Sequence, residues 1–219
     1  MKIITMNEWD AIARSFDATR KSAWQECMDF ISDMRGVTLD IGCGNARHLI
    51  PMARKCRVAV GIDSSMEMVR VARENVTGLH NVVLVCGDAC TLPFPDELFD
   101  AALFIAALHN IRGRKNRVQA LCELKRVLNH DGRALISVWS KWQDAFRWQF
   151  ITRWPTREHG DILIPWRKDG MNVPRFYHLY GMGEFRRDIL KAGLHIETLW
   201  KTTKASKKYA DNYFAVVKK

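Results

Sequence analysis

The sequence predicts an α/β fold, a mostly parallel sheet with helices on both faces, on three observations. Between Gly36 and Trp139 short apolar runs alternate with amphipathic helical stretches, and strands joined through helices lie parallel. The first of these runs enters a Gly-x-Gly turn at the start of a helix, which lets backbone N–H groups approach a ligand closely. The chain has 219 residues, 47% of them hydrophobic, so it can bury one sizeable core.

Taken in order, residues 1–35 read as a helical cap, with Trp9, Ile12 and Phe16, then Trp24, Met28 and Ile31, near a 3.6-residue period. A cofactor-binding core follows over 36–140. Its strands are expected at Val37–Ile41, Arg57–Ile62, Val82–Cys86, Ala101–Ala106 and Ala134–Trp139. Its helices are expected at Ala46–Lys55, Ser65–Asn75 and Lys115–Leu128, the second capped by Ser64 or Ser65. The turn Asn129–Gly132 introduces the fifth strand. Residues 141–180 break the rhythm and read as a basic, tryptophan-rich insertion. Residues 181–219 resume it, with a helix at Gly183–Ala192 and β-rich stretches at Leu194–Thr202 and Tyr213–Val217. With no repeat and no low-complexity linker, 1–219 reads as a single domain.

Composition narrows the function. Charged residues make up 26%, and no apolar run approaches the ~20 residues of a membrane span. The N-terminus lacks the apolar core of a secretory signal, and the reading is a soluble, cytoplasmic protein. Six cysteines occur without a C-x-x-C pair, which fits reduced, buried thiols and no intrinsic metal site. The formal net charge of +10 is unevenly spread. Met1–Asn110 holds 11 basic and 14 acidic residues, whereas Ile111–Lys219 holds 23 and 10. A near-neutral half joined to a strongly basic one suits a small-ligand module carrying a surface for a polyanion.

The most informative stretch is Leu39-Asp40-Ile41-Gly42-Cys43-Gly44-Asn45-Ala46. Alone, its Gly-x-Gly serves equally for a nicotinamide cofactor or for a plain tight turn. Three carboxylates sharpen it. Asp40 precedes the first glycine by two residues and can meet a positively charged ligand group. Asp63 ends the second strand, where a carboxylate accepts from ribose hydroxyls. Asp88 ends the third and can accept from an adenine amino group. A pyrophosphate would avoid three carboxylates; a ligand with a cationic centre, a ribose and an adenine matches them, and that ligand is S-adenosylmethionine.

Together Asp-Ile-Gly-Cys-Gly-Asn, Gly-Ile-Asp-Ser-Ser, Gly-Asp-Ala and Leu-Pro-Phe-Pro-Asp-Glu-Leu-Phe-Asp resemble the ordered motifs of the class I S-adenosylmethionine-dependent methyltransferases over about Gly36–Trp139. The resemblance implies a Rossmann-like, seven-stranded sheet with the last strand antiparallel. It also implies a cofactor set of Asp40, Gly42, Gly44, Asn45, Asp63, Ser64, Asp88 and Ala89. Ala46 stands where a third glycine is common.

The flanks are similar to a narrower group, the tRNA wobble-uridine methyltransferases that esterify 5-carboxymethyluridine, including the methyltransferase domain of the AlkB-type tRNA-modifying enzyme. Thr19, Arg20, Ser22 and Trp24 match its Thr-Arg-x-Ser-x-Trp. Ile164-Pro165-Trp166 matches its Val-Pro-Trp, and Arg175 to His178 its Arg-Tyr-Tyr-His, with Phe176 for one Tyr. Of its paired histidines only His109 is kept, beside Asn110. This resemblance implies transfer of a methyl group to the uridine carboxylate, giving 5-methoxycarbonylmethyluridine. A carboxylate is already ionised at neutral pH and needs no strong base, only alignment and a cation that holds it loosely. Arg20 and Arg175 are the candidate cations, with His109 close to the rim of the fourth strand, where substrates enter.

Lys141, Arg147, Arg153, Arg167, Lys201, Lys204, Lys207 and Lys208 are candidate RNA contacts. They lie among tryptophans that either stack anticodon-loop bases or pack a lid. The uncharged third strand, 82–86, is expected at a sheet edge, and the resemblance implies that a small zinc-binding activator protein covers it. Two other readings share the core motifs: a methyltransferase of a free, quinone-like small molecule, and an RNA-binding protein that has lost catalysis.

Overall fold

A computed structural model describes residues 7–152 and 158–219. Its elements are α1 (Glu8–Thr19), α2 (Gln25–Ser32), β1 (Val37–Ile41), α3 (Leu49–Ala53), β2 (Val58–Asp63), α4 (Met66–Asn75), β3 (Val82–Cys86), β4 (Phe99–Ile105), α5 (Arg114–Val127), β5 (Leu128–Trp139), α6 (Arg147–Thr152), β6 (Asp161–Trp166), β7 (Val173–His178), α7 (Met182–Lys191), β8 (His195–Thr202) and β9 (Asn212–Lys218). Seven strands form one sheet in the order β3-β2-β1-β4-β5-β9-β8. Strands β3 to β5 run parallel, and β9, the last in the chain, enters antiparallel between β5 and β8. The expected architecture is therefore present.

Both faces of the sheet are covered. Leu121, Leu124 and Val127 of α5 and Phe185 and Ile189 of α7 pack over one. Cys27 and Ile31 of α2, Leu49 and Met52 of α3 and Ala72 of α4 pack over the other. No helix among the described residues is long and apolar enough to cross a membrane. Strand β3 is the sheet edge, with Val83 48% exposed and Cys86 exposed.

Three elements depart from expectation. The helix expected from Ala46 begins only at Leu49, because Ala46 is left-handed at φ 67° and His48 takes the cap position. Strand β5 begins at Leu128 and contains the expected 129–132 turn as an irregularity: Phe99 pairs with Leu128, then Ala101 with Arg133. The insertion is not structureless. Strands β6 and β7 form a separate antiparallel hairpin, Asp161 opposite His178 through Trp166 opposite Val173. Its turn has Asp169 at φ 53° and Gly170 at φ 73°, both positive as a primed two-residue turn requires.

The hairpin is pinned at two ends. Trp166 Nε1 donates to Ser15 Oγ of α1 at 2.9 Å. His178, buried, lies 2.8 Å from Asp161 and 2.9 Å from Glu184, while neighbouring Glu158 pairs with Arg117. Hydrogen bonds thus account for the close approach of Glu158, Asp161 and His178.

Candidate active site

A cavity of about 940 Å³ opens where β1, β2 and β4 end, the crevice that parallel sheets offer to ligands. Gly42, Gly44, Asp63, Ser64, Asp88 and Ala89 line one side; Trp9, Phe16, Arg20, Arg175 and Tyr177 line the other. Helix α1 and the hairpin thus form a roof over the glycine turn.

The turn is held by its own backbone and by one carboxylate. Gly42 and Cys43 donate to the Ile62 carbonyl at 2.8 and 3.0 Å. Asp63 accepts from the Gly44 N–H through Oδ2 and the Ser65 N–H through Oδ1, each at 2.9 Å. Gly42 sits at φ 70°, and a Cβ there would come within 2.3 Å of the Ala107 Cβ, so no other residue fits. Ala46 adopts the same hand of backbone, at a cost of ~1–2 kcal/mol for an L-residue.

Asn45 joins this turn to the roof. Its Nδ2 donates to Asp17 Oδ1 at 2.9 Å and to the Arg20 carbonyl at 2.8 Å, and Asn75 Nδ2 donates to the same Asp17 oxygen at 2.8 Å. Arg20, the C-cap of α1, is placed by the cofactor turn itself. Sequence motifs give no hint of Asp17 and Asn75, since their spacing to Asn45 is meaningful only after folding.

Asp40 lies just behind the cavity wall, buried, with Oδ2 bonded to nothing. Burial pushes its carboxyl up to about 8; Arg47 opposes this and Asp63 adds to it. A buried carboxylate without a partner, two left-handed glycines and the Asp63 and Asp88 carboxylates on the lining fit a ligand carrying a cationic amine, a ribose and an adenine. The proton linkage is testable. Asp40 holds its proton at pH 7 without ligand, and a cationic group beside it restores the ionised form. Binding of S-adenosylmethionine at pH 7 is therefore expected to release up to about one proton. Affinity should rise as pH climbs toward about 8 and fall above it, where the ligand's α-ammonium loses its own proton. The unliganded fold loses stability over the same window, since only the unfolded carboxyl ionises freely there. Calorimetry in buffers of different ionisation enthalpy reads the proton; none released at pH 7 contradicts the assignment.

At the roof, Arg175 is 7% exposed, with its guanidinium carbon 4.9 Å from the Trp166 ring, 5.2 Å from Tyr177 and 5.5 Å from Trp9. Its Nε has no hydrogen-bond partner. Burial, then repulsion from Arg20, lowers its pKa. Arg20 is exposed and approaches the Trp166 ring at 6.0 Å. Neither arginine pairs with a carboxylate among the described residues. His109 is fully buried, its ring 5.4 Å from both Trp139 and Tyr177. Its Nδ1 accepts from the Trp139 N–H at 2.9 Å, so the neutral ring carries its proton on Nε2, which is unpartnered. Burial, with His178 adding, pushes its pKa down to about 3. His109 is thus a neutral N–H donor at the cavity, neither a base nor a cation near neutral pH.

The predicted basic contacts divide. Lys141 approaches the Trp142 ring at 5.5 Å, Arg147 lies 4.3 Å from Tyr209 and 5.0 Å from Trp148, and Lys208 lies 5.5 Å from Tyr209. Asp144 brings these together by accepting the backbone N–H groups of Lys207, Lys208 and Tyr209. The result is one basic, aromatic surface beside the cavity residues Gln143, Ala145 and Phe146, with Trp142 42% and Trp148 60% exposed. Lys204 instead lines the cavity and pairs with Glu26 at 2.5 Å, so its charge is already partnered. Lys201 on β8 and Arg167 at the hairpin turn are exposed and stand apart. Arg153 lies outside the described residues. Of the insertion's tryptophans, Trp166 packs the lid while Trp142 and Trp148 face outward.

The Methyltransferase domain family matches residues 39–136. A protein of Encephalitozoon cuniculi, whose name goes no further than methyltransferase, is 33% identical over 178 residues, covering 80% of this chain and 79% of that one. A tRNA (carboxymethyluridine(34)-5-O)-methyltransferase of Schizosaccharomyces pombe is 28% identical over 207 residues, covering 84% and 86%. One of the same name from Xenopus tropicalis is 36% identical over 138 residues, 62% of this chain but only 21% of that protein. Among solved structures, a Methanosarcina mazei S-adenosylmethionine-dependent methyltransferase superposes with TM-score 0.74 at 20% identity, over 90% and 98% of the two chains. A Haloferax volcanii methyltransferase solved in complex with the Trm112 methyltransferase activator superposes with TM-score 0.68 at 16% identity, over 97% and 98%.

Proposed function

The chain belongs to the class I S-adenosylmethionine-dependent methyltransferases, and on that premise we propose that it methylates tRNA, at the carboxylate of a wobble 5-carboxymethyluridine. One observation carries this reading: Arg175, enclosed by Trp9, Trp166 and Tyr177 at the cavity, with no carboxylate partner among the described residues and a free Nε. A guanidinium so placed calls for an external anion, and a carboxylate matches its planar fork. The relatives named for carboxymethyluridine support the same choice.

The bound cofactor supplies an electrophilic methyl group on a sulfonium. Gly42, Gly44, Asp63 and Asp88 would hold it, and because the acceptor carboxylate is already ionised at neutral pH the protein's residues have no proton to move. What remains for the protein is placement. Arg175 and Arg20 hold the carboxylate, their charge spread over aromatic faces so that the nucleophile keeps its reactivity. His109 offers its Nε2–H as a neutral donor beside them. Tyr177 and Trp139, stacked on each other at 4.9 Å and 3°, make one aromatic wall of the cavity against which a planar base can lie. The surface of Lys141, Trp142, Arg147, Trp148, Lys208 and Tyr209 suits unpaired nucleotides of the anticodon loop, cations on phosphates and rings on bases.

A small activator protein is proposed on edge strand β3, whose exposed Val83 and Cys86 present an uncharged rim; the Haloferax relative in complex with its activator supports this. The test is mass analysis of wobble nucleosides after incubating carboxymethyluridine-containing tRNA with S-adenosylmethionine and this protein, with and without the activator. Appearance of the methyl ester is expected, more strongly with the activator. Transfer confined to free small molecules, or none to tRNA with the activator present, overturns the reading.

A further inference from the structure

Six consecutive backbone N–H groups, Lys204 to Tyr209 in the loop between β8 and β9, converge on two carboxylates. Asp211 accepts from Lys204, Ala205 and Ser206. Asp144 accepts from Lys207 at 2.8 Å, Lys208 at 3.1 Å and Tyr209 at 3.3 Å, and its own N–H donates to Ser206 Oγ at 3.1 Å. Successive N–H groups turned to one side make a concavity that takes anions. Here the protein's own carboxylates fill it, so this backbone is already spent and phosphate must be met by side chains. Lys207 and Lys208 are exposed and pair with no carboxylate among the described residues.

The two carboxylates do different work. Asp211 stands just before β9 and closes its own loop. Asp144 lies between β5 and α6, 63 positions from Lys207, and its neighbours Gln143, Ala145 and Phe146 line the cavity. It therefore ties the lysine loop to the cavity wall. The Lys207 N–H above all holds the Asp144 carboxyl below its usual range, so it is charged at neutral pH. A negative charge there repels the same phosphates that Lys207 and Lys208 attract. What offsets the repulsion is order: lysines on an untethered loop reach a phosphate only by giving up the freedom of the loop as well as their own.

We propose that Asp144 is a positioning residue for RNA, holding the β8–β9 loop so that Lys207 and Lys208 meet phosphates at a fixed distance from the cavity. The gain in placement exceeds the repulsion of its own charge. This rests on the tRNA reading above and concerns how that surface is set against the site.

The test is binding of a fluorescently labelled anticodon stem–loop RNA, by anisotropy over a series of salt concentrations. Field and placement predict opposite signs for Asp144→Ala. A carboxylate acting only by its field leaves a variant that binds RNA more tightly. One acting by placement leaves a variant roughly three- to tenfold weaker, whose log affinity falls less steeply with log salt as one or two phosphate contacts are lost. Asp144→Asn keeps an acceptor for the loop without the charge and should recover part of the affinity. Lys207→Met combined with Lys208→Met should reproduce the shallower salt dependence. Adding Asp144→Ala to that pair should weaken binding by less than about twofold more, because Asp144 acts through those side chains. Affinity of Asp144→Ala equal to or above wild type overturns the proposal. So does a lysine-pair variant with wild-type affinity and slope, a result independent of how any Asp144 variant folds. Wild-type protein without salt-dependent RNA binding overturns the tRNA reading itself, and this inference with it.

Discussion

Arg175→Met is expected to lower methyl transfer roughly a hundred- to thousandfold, on the scale of losing ~3–4 kcal/mol of charge stabilisation in an enclosed site, and to leave cofactor affinity unchanged. The separation follows from geometry. Arg175 stands among Trp9, Trp166 and Tyr177 on the roof, remote in the chain from the Gly42–Gly44 turn and bonded to none of it. Methionine fills the space between the rings and removes only the charge. Because that charge is buried without a counter-ion among the described residues, its loss should hold or raise the melting temperature. A variant that is more stable, binds cofactor normally and barely turns over carries the signature of a substrate-binding cation. Turnover within about threefold of wild type removes Arg175 from the site.

Asp63→Ala is expected to do the opposite. It should cut S-adenosylmethionine affinity by at least about a hundredfold, since three functions share that carboxylate. Oδ2 fixes the Gly44 N–H, Oδ1 fixes Ser65 at the start of α4, and we propose that the remaining lone pairs, on the cavity lining, accept from ribose hydroxyls. The unliganded melting temperature should move little, because burial raises the Asp63 pKa and opposes what the two N–H bonds contribute. The cofactor-induced rise in melting temperature should vanish instead. Asp63→Asn keeps one acceptor and sets an amide N–H against the Gly44 N–H, so it should fall between. Calorimetry giving wild-type affinity for Asp63→Ala would remove the ribose role.

The parts of this molecule legible from sequence are those fixed by local chemistry. Strands β1, β2 and β4 read directly because buried parallel strands are nearly continuous apolar runs, and the glycine turn because only glycine fits at Gly42. The β6–β7 hairpin was legible too, in Asp169-Gly170 between apolar runs, yet the flanking prolines and tryptophans mask the alternation. What sequence could not supply is convergence. Arg175 and Arg20 are 155 positions apart, and that neither has a carboxylate partner among the described residues follows only from packing. His109 reads as a candidate site residue, and only the fold shows it as a neutral ring whose Nδ1 accepts from the Trp139 N–H. Lys204 reads as a free phosphate contact until Glu26 is found beside it.

The hairpin that carries Arg175 and Tyr177 bonds its backbone strand to strand within itself and shares no ladder with the seven-stranded sheet. Ancestry can therefore exchange or reshape it wholesale while the sulfonium-handling half stays as it is. A cassette of this kind lets one inherited scaffold acquire new methyl acceptors by changing a single excursion of the chain, and it marks residues 161–178 as the place where a graft between relatives should transplant preference.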